Sequence, residues 1–283
     1  MRPVAASPET MLPLPPDGRH FDVGWHHADV PGSAAAPGPP RSVGRVTAIA
    51  RYPVKSLAGE RLRQAPVTER GVAGDRWWAA YTADGGIASG KTTRRFRRVE
   101  RLFALRARLP EPTTGDDAVP RILFPDGDEL RADAPAASAR LSAVAGRDLV
   151  LRPQTSIRHH DESAVHLITT AAVRRLAQLR GEPVDPARFR ANLELDVEGV
   201  GFPEDDWAGC HLVIGDDVEL CLGPAMPRCV MVGNAQPHAG LGDDPRLLKT
   251  IGRHHGVTFG LQATVVRTGT ACVGDTAMLI PPP

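Results

Sequence analysis

The sequence predicts an α+β fold dominated by short, mainly antiparallel strands. Three observations point there. Apolar and polar residues alternate along many short stretches, as in Phe103, Leu105, Ala107 and Leu109 against Ala104, Arg106 and Arg108. Turn signals at Asp84-Gly85-Gly86, Pro125-Asp-Gly-Asp128 and Gly215-Asp216-Asp217 return each strand by a hairpin. Helical signals are few, and no internal repeat of fixed period interrupts the pattern.

In chain order, residues 1–43 are rich in Pro, Ala and Gly and end in Pro31-Gly-Ser-Ala-Ala-Ala-Pro-Gly-Pro-Pro40. Such a segment buries too little apolar surface to offset its ordering entropy, so a disordered arm is expected. Val46 to Tyr52 reads as a strand stopped by Pro53, and the bend after it presents Lys55 and Ser56. Strands are expected at Leu62–Thr68, Asp75–Tyr81, Ile87–Ser89, Phe103–Leu109, Arg121–Phe124, Glu129–Arg131 and Leu149–Leu151. Arg94–Arg101 reads as a short helix, and Ala134–Val144 as a longer one with Gly146 just past its end. These elements form one expected domain, 44–153, and residues 154–283 a second.

The second domain opens with a strand at His166–Thr169. Thr169 or Thr170 then caps a helix with Val173, Leu176 and Leu179 on its apolar face, ending at Gly181. Pro186–Phe189 reads as one helical turn and Leu193–Val197 as a strand. His211–Ile214 and Val218–Leu222 form a hairpin. Asp244 caps a helix running to about His254, with Pro245 at its first position. Val257–Arg267 and Thr276–Ile280 are the closing strands.

Composition narrows the function. The chain has 283 residues, 42% hydrophobic and 24% charged, enough for a sizeable core. A formal net charge of +1 gives no general attraction to nucleic acid or an anionic membrane, so any basic site must be local. No apolar run approaches the roughly 20 residues needed to span a bilayer. The four cysteines, Cys210, Cys221, Cys229 and Cys272, form no Cys-x-x-Cys pair and give no zinc or iron–sulfur spacing. With no secretory signal read at the start, reduced thiols and a cytoplasmic location are expected.

The stretch from Gly223 to Val232 holds the most distinctive chemistry. Pro224 and Pro227 stiffen it, and it delivers Arg228 and Cys229 side by side. A neighbouring positive charge favours a thiolate, which is both a nucleophile and a soft metal ligand. The plainer reading is a small buried thiol beside a surface arginine. Elsewhere, Lys55-Ser56, Arg76, Ser89, Lys91, Thr169-Thr170, Arg190 and Arg228 sit at strand ends and turns. Together they suit an oxyanion-rich ligand, although any one alone is ordinary surface charge. Gly71-Val-Ala-Gly74 lacks the Gly-Lys-Ser/Thr of a phosphate loop. Asp205-Asp206 and Asp243-Asp244 read as caps and turns. The adjacent pairs His159-His160 and His254-His255 are expected to point apart rather than chelate together.

These residues resemble the MOSC family. Ile49-Ala-Arg-Tyr-Pro-Val-Lys-Ser56 and Gly71-Val-Ala-Gly-Asp-Arg-Trp77 resemble the MOSC N-terminal β-barrel module. Arg188-Phe-Arg-Ala-Asn192, Glu204-Asp-Asp-Trp207, Leu212-Val-Ile-Gly215, Pro227-Arg-Cys229, Phe259-Gly260 and Gly274-Asp275 resemble the MOSC domain. The resemblance implies a β-barrel-like module followed by a β-barrel domain with a few flanking helices. It also implies a molybdenum–pyranopterin (molybdopterin) cofactor. In relatives that include the mitochondrial amidoxime-reducing component, a cysteine matching Cys229 ligates molybdenum. Lys55, Ser56, Arg76 and Arg190 match positions that hold the pterin and its phosphate, with Asn192, Thr169, Thr170 and Arg228 near by. The upstream cysteine often present in this loop is replaced by Ala225 or Met226, and Ala191 stands where a proline is usual.

The expected activity is therefore reduction of N-hydroxylated or other N-oxygenated small molecules by oxygen-atom transfer at cysteine-ligated molybdenum. No ferredoxin-like segment is read after Ile280 and no pyridoxal-phosphate sulfurase segment ahead of the first module. Electrons are then expected from a separate flavoprotein acting with a ferredoxin or heme protein. The alternative is a carrier that holds sulfane sulfur or the cofactor on Cys229 without redox turnover. A third reading is a β-barrel binding protein with a degenerate site.

Overall fold

Val43, Val46 and Ile49 of strand Arg41–Arg51 are buried in one barrel core although they stand three residues apart, because the ladder register shifts between Ser42 and Gly44 and again between Val46 and Ala48. The computed structural model describes residues 38–113 and 115–282. The arm expected over 1–43 lies outside the described residues as far as residue 37. Its last residues are already strand, since Arg41 begins the first barrel strand.

Seven strands close the barrel, in the order Leu193–Asp196, Val165–Thr169, Thr258–Arg267, Val218–Pro227, His211–Ile214, Thr276–Ile280 and Arg41–Arg51. The last pairs back onto the first, with Arg45 opposite Asp196 and Ile49 opposite Leu193. The ring closes on itself, and Glu60–Leu62 adds an eighth strand to the sheet beside Ile49–Arg51. All pairings in the ring are antiparallel except Val165–Thr169 with Leu193–Asp196, where Leu167 faces Leu193 and Thr169 faces Leu195. A parallel pair needs a crossover. Of the three helices among the described residues, α1 (Pro135–Ala145), α2 (Thr170–Arg180) and α3 (Leu247–His255), α2 lies in that crossover. The barrel is filled by Val46, Ile49, Leu167, Leu195, Trp207 and Leu220 with their neighbours.

Residues between the first two barrel strands of the chain build smaller sheets. Trp78–Thr82 pairs with Leu149–Pro153 and Ile87–Ser89, and Arg106–Arg108, Arg121–Leu123 and Glu129–Arg131 form a meander. Their shared core contains Val54, Leu57, Leu105, Ile122, Leu141 and Leu149. A third core joins α2 and α3 through Leu176, Ile251 and the stacked rings of Phe189 and Phe259, whose centroids are 3.9 Å apart. No described helix is long and apolar enough to cross a membrane.

Several elements differ from expectation. Phe96–Arg98 is not helical but a strand parallel to Ile87–Ser89. Phe96 is needed in the small core with Ala79 and Ile87, and that contact overrides the helical propensity of the surrounding arginines. The alternation at 103–109 yields a strand only at Arg106–Arg108, because Arg101 turns left-handed (φ 64°) and Leu102–Ala104 coils into a 3₁₀ turn. The stretch read as Asp75–Tyr81 becomes strand at Trp78, and Leu62–Thr68 divides into Glu60–Leu62 and Gln64–Thr68. The strand from Val218 does not stop at Leu222. It runs to Pro227 through register shifts between Leu222, Ala225 and Pro227, so the prolines lie where the ladder is already irregular. Gly146 and Gly181 end their helices at φ 65° and 73°, as their positions predict.

Candidate functional site

Pro53 halts the first barrel strand and turns the chain so that Val54 bridges to Trp78. This carries Lys55 and Ser56 into the interior, where they are 3% and 4% exposed. Five described non-glycine residues adopt positive φ, and three of them, Ser56, Arg76 and Arg190, belong to the expected site. Left-handed backbone costs such residues about 1 kcal/mol each and gathers where function fixes geometry.

Arg76 and Asn192 hold the centre together. The Arg76 guanidinium pairs with Asp75 and reaches Asn192 Oδ1 at 3.5 Å and the Arg190 carbonyl at 3.2 Å. Asn192 donates to the Ala50 carbonyl at 3.3 Å and accepts from the His166 amide at 3.2 Å, so this buried amide ties two barrel strands to Arg76. Asp75 also accepts from the Tyr52 amide at 2.7 Å. Burial alone would push the Asp75 carboxyl up, but Arg76 and then His160 more than reverse this and hold it down to about 2.

Arg190 follows the 3₁₀ turn Pro186–Phe189 and its guanidinium lies 4.1 Å from the Tyr52 ring centroid and 5.0 Å from that of Phe103. It makes no side-chain hydrogen bond among the described residues. Arg228 donates to the Phe189 carbonyl at 2.9 Å and lies 3.5 Å from His166 Nε2, while its buried Nε has no partner. Burial draws both arginines down to about 10, so each remains cationic at neutral pH. His166 is held well below its ordinary value by burial and by Arg228, and adds no charge. Lys55 lies 3.2 Å from Asp161 and 4.4 Å from the Phe96 ring centroid, and Lys91 lies 3.1 Å from the other Asp161 oxygen. Burial holds Lys55 down to about 8 against the pull of Asp161. The charge of Arg76 acts on Lys55, Arg190 and Arg228 alike, and that of Asp161 on all of these cations.

Cys229 is a free, half-buried thiol directly before the 3₁₀ turn Val230–Gly233. Met231 and Asn234 of this segment line a cleft of about 390 Å³ with Ser56, Gly90 and Phe103. A second cleft, of about 180 Å³, is bordered by Tyr52 and Arg190. Among the described residues no three His, Cys, Asp or Glu side chains converge to hold a metal ion, so a metal on Cys229 must bring most of its own ligands.

The fold thus brings Lys55, Arg190, Asn192 and Arg228 around Arg76, while Ser56 follows Lys55 and donates to Ser89 at 3.4 Å, and Cys229 follows Arg228 and acts on its charge. Thr169 and Thr170 spend their hydroxyls elsewhere. Thr169 caps α2 and donates to Glu204 at 2.7 Å, and Thr170 donates to Asp196 at 2.9 Å. Sequence reasoning missed Tyr52, Asp75, Asp161 and His166. Only Asp75 left a local signal, as the acidic neighbour of Arg76; the others meet the site through pairings distant in sequence.

Two family models match the chain. The MOSC N-terminal beta barrel domain matches residues 43–170 and the MOSC domain residues 154–277. Among solved structures, YuaD from Bacillus subtilis is similar at 14% identity, over 86% of this chain and 98% of that one, with a TM-score of 0.47. YiiM from Geobacillus stearothermophilus is similar at 19% identity, over 42% of this chain and 54% of that one, with a TM-score of 0.32. No curated protein matches at a significant level.

Proposed function

Since this chain belongs to the MOSC family, we propose that it binds a molybdenum–pyranopterin through Cys229 and reduces N-oxygenated small molecules, such as N-hydroxylated amines and amidoximes. The observation that carries this reading is buried positive charge only partly supplied with acceptors, in Arg190 and in Arg228 beside the free thiol of Cys229. Among the described residues the Arg190 guanidinium meets ring faces and no acceptor, and Arg228 keeps a buried Nε unsatisfied. An unpaired buried donor is costly, so these groups fit a ligand rich in oxygens. A soft sulfur ligand with no cluster of co-ligands among the described residues likewise fits a metal that arrives already chelated.

In this reading Lys55, Ser56, Arg76 and Arg190 hold the phosphate end, and Asn192 fixes the direction of Arg76. Arg228, anchored on the Phe189 carbonyl, sets the position of the following Cys229. Thr169 and Thr170 enter by fixing the first turn of α2. When bound, the group would supply two-electron oxygen-atom transfer, and the cleft lined by Ser56, Phe103 and Met231 admits the substrate. Electrons come from a separate flavoprotein with a ferredoxin or heme protein.

The test uses protein made in a host with an intact cofactor pathway. The wild-type chain is expected to contain about one molybdenum per chain and to reduce an amidoxime when given a donor. Cys229→Ser is expected to lose both while its thermal midpoint stays within a few degrees; full activity in that variant ends the proposal. One observation favours a carrier as the second reading: Val230, next to the thiol, is 51% exposed, so the loop borders solvent. Persulfide on Cys229 without metal or turnover would select that reading.

A further inference from the structure

Lys55 and Lys91 share a single carboxylate. Asp161 gives one oxygen to each ammonium, at 3.2 and 3.1 Å, and neither lysine has another acidic partner among the described residues. Beneath them lies the Phe96 ring, with Lys55 Nζ 4.4 Å, Lys91 Nζ 5.2 Å and Arg95 Cζ 4.5 Å from its centroid. Three cations on one ring form a floor whose charge Asp161 only partly offsets. The burial is asymmetric: the Lys55 side chain is 3% exposed and that of Asp161 41%. The carboxylate therefore enters from the solvent side, on the irregular stretch between strands Leu149–Pro153 and Val165–Thr169. Its backbone is held separately, because Arg95 Nη2 donates to the His160 carbonyl at 2.7 Å and lies 3.4 Å from that of Asp161. The carboxylate can rotate away without loosening that tether.

We propose that Asp161 is a built-in competitor, filling an anion subsite formed by Lys55 and Lys91 that a phosphate group takes by displacing it. Two oxygens on one central atom, spaced to meet two ammonium groups, are what a phosphate also presents, with a second negative charge in addition. Asp161 keeps the buried lysine neutralised when no ligand is bound and leaves for one carrying more charge. The inference rests on the preceding reading only in assigning Lys55 to a phosphate; Asp161 is new to the site, and Lys91, one of the residues suited to an oxyanion by sequence, gains a defined place in it.

The experiment titrates the full chain with inorganic phosphate and, separately, with glycerol 3-phosphate, followed by calorimetry. Asp161→Asn is expected to bind at least one probe about tenfold more tightly than the wild type, Asp161→Glu to restore the weaker binding, and Lys91→Gln to weaken it further. Tighter binding of the monoester assigns the subsite to the tail of a larger ligand, and tighter binding of the free ion assigns it to phosphate itself. In the unsubstituted protein, phosphate is expected to shift the Asp161 carboxyl carbon resonance, a readout independent of how well the variants fold. Equal affinity in wild type and Asp161→Asn, no saturable binding to Asp161→Asn, or an unmoved resonance at saturation overturns the proposal. Molybdenum content reports on the earlier reading and phosphate competition on this one, so the two can fail separately.

Discussion

Replacing Asp75 by Asn removes a carboxylate whose side chain is fully buried against Arg76 and the Tyr52 amide. Breaking a buried pair by neutralising one partner costs about 3–5 kcal/mol, because the other charge stays behind without compensation. Partial exposure of Arg76, 14%, places the expected loss near the lower figure, about 3 kcal/mol at pH 7. The pH dependence gives an independent check. The folded-state value of about 2 lies below the ordinary 3.8, so the unfolded chain binds the proton more readily. Asp75 therefore contributes stability that is fully present above about pH 4 and is lost as pH falls towards 2. Linkage puts the loss at about 1 kcal/mol by pH 3 and about 2 kcal/mol by pH 2. Urea unfolding of wild type and Asp75→Asn at pH 7, 5 and 3 should show a gap of about 3 kcal/mol that narrows only at the last pH. A gap under 1 kcal/mol at pH 7, or one that does not narrow between pH 5 and 3, would refute the account of Asp75 as the counter-ion of this centre.

Glu204 predicts the opposite trend. Burial raises its carboxyl to about 7, Oε1 has no partner, and Thr169 satisfies only Oε2. Above its unfolded value of 4.5 the folded chain keeps a proton that the unfolded chain releases, so Glu204 costs stability as pH rises, reaching about 3 kcal/mol above pH 7. Glu204→Gln should raise the urea midpoint at pH 8 and leave it near wild type at pH 5; equal effects at both pH values would contradict this. Gly260 has φ 75°, and a Cβ there would stand 2.3 Å from the Leu167 carbonyl oxygen and 2.9 Å from His166 Nε2. Gly260→Ala should cost about 2 kcal/mol or more and lower the thermal midpoint by several degrees, while an unchanged midpoint would show that the strand yields without strain.

Barrel strands such as His211–Ile214 and the start of Val218–Pro227 were legible because their inward residues are spaced by two, at Leu212 and Ile214 and at Val218, Leu220 and Leu222, and such spacing is a local property; Val43, Val46 and Ile49 stand three apart across shifts in their ladder. Phe96 was not legible. Arginines surround it, and only its place beside Ala79 and Ile87 decides that the segment is extended. Of the acidic pairs, Asp243-Asp244 behaves as turn chemistry suggests: Asp244 accepts from the Arg246 and Leu247 amides at 3.2 and 3.1 Å, and Asp243 from Ala235 at 2.8 Å, whereas Asp205 lies inside the 3₁₀ turn Pro203–Trp207 and faces His255 Nε2 at 2.7 Å. His159 and His160 do point apart, the first to Tyr81 and the Arg76 carbonyl, the second towards Asp75. At the site, charge and motif marked Lys55, Arg76, Arg190 and Arg228, whereas Asp161 reads as one acid among many. What distinguishes it is a meeting with two lysines set by tertiary structure, for which a linear pattern has no signature. Tyr52 was read as the end of a strand; its second use as a platform for Arg190 appears only once the barrel closes.

The strand Arg41–Arg51 finds its neighbours at Leu193–Asp196 and Thr276–Ile280. During synthesis it must wait until Leu193–Asp196 has emerged before the first of these ladders can form, and until Thr276–Ile280 has emerged before the second. Long-range pairing of this kind is slow, and the waiting strand offers bare amides to any other extended peptide. The basic centre shares that fate, because its members come from segments as far apart as Lys55 and Arg228. A partly made chain has no assembled cradle, so nothing can be loaded into it until Arg228 and Cys229 have emerged.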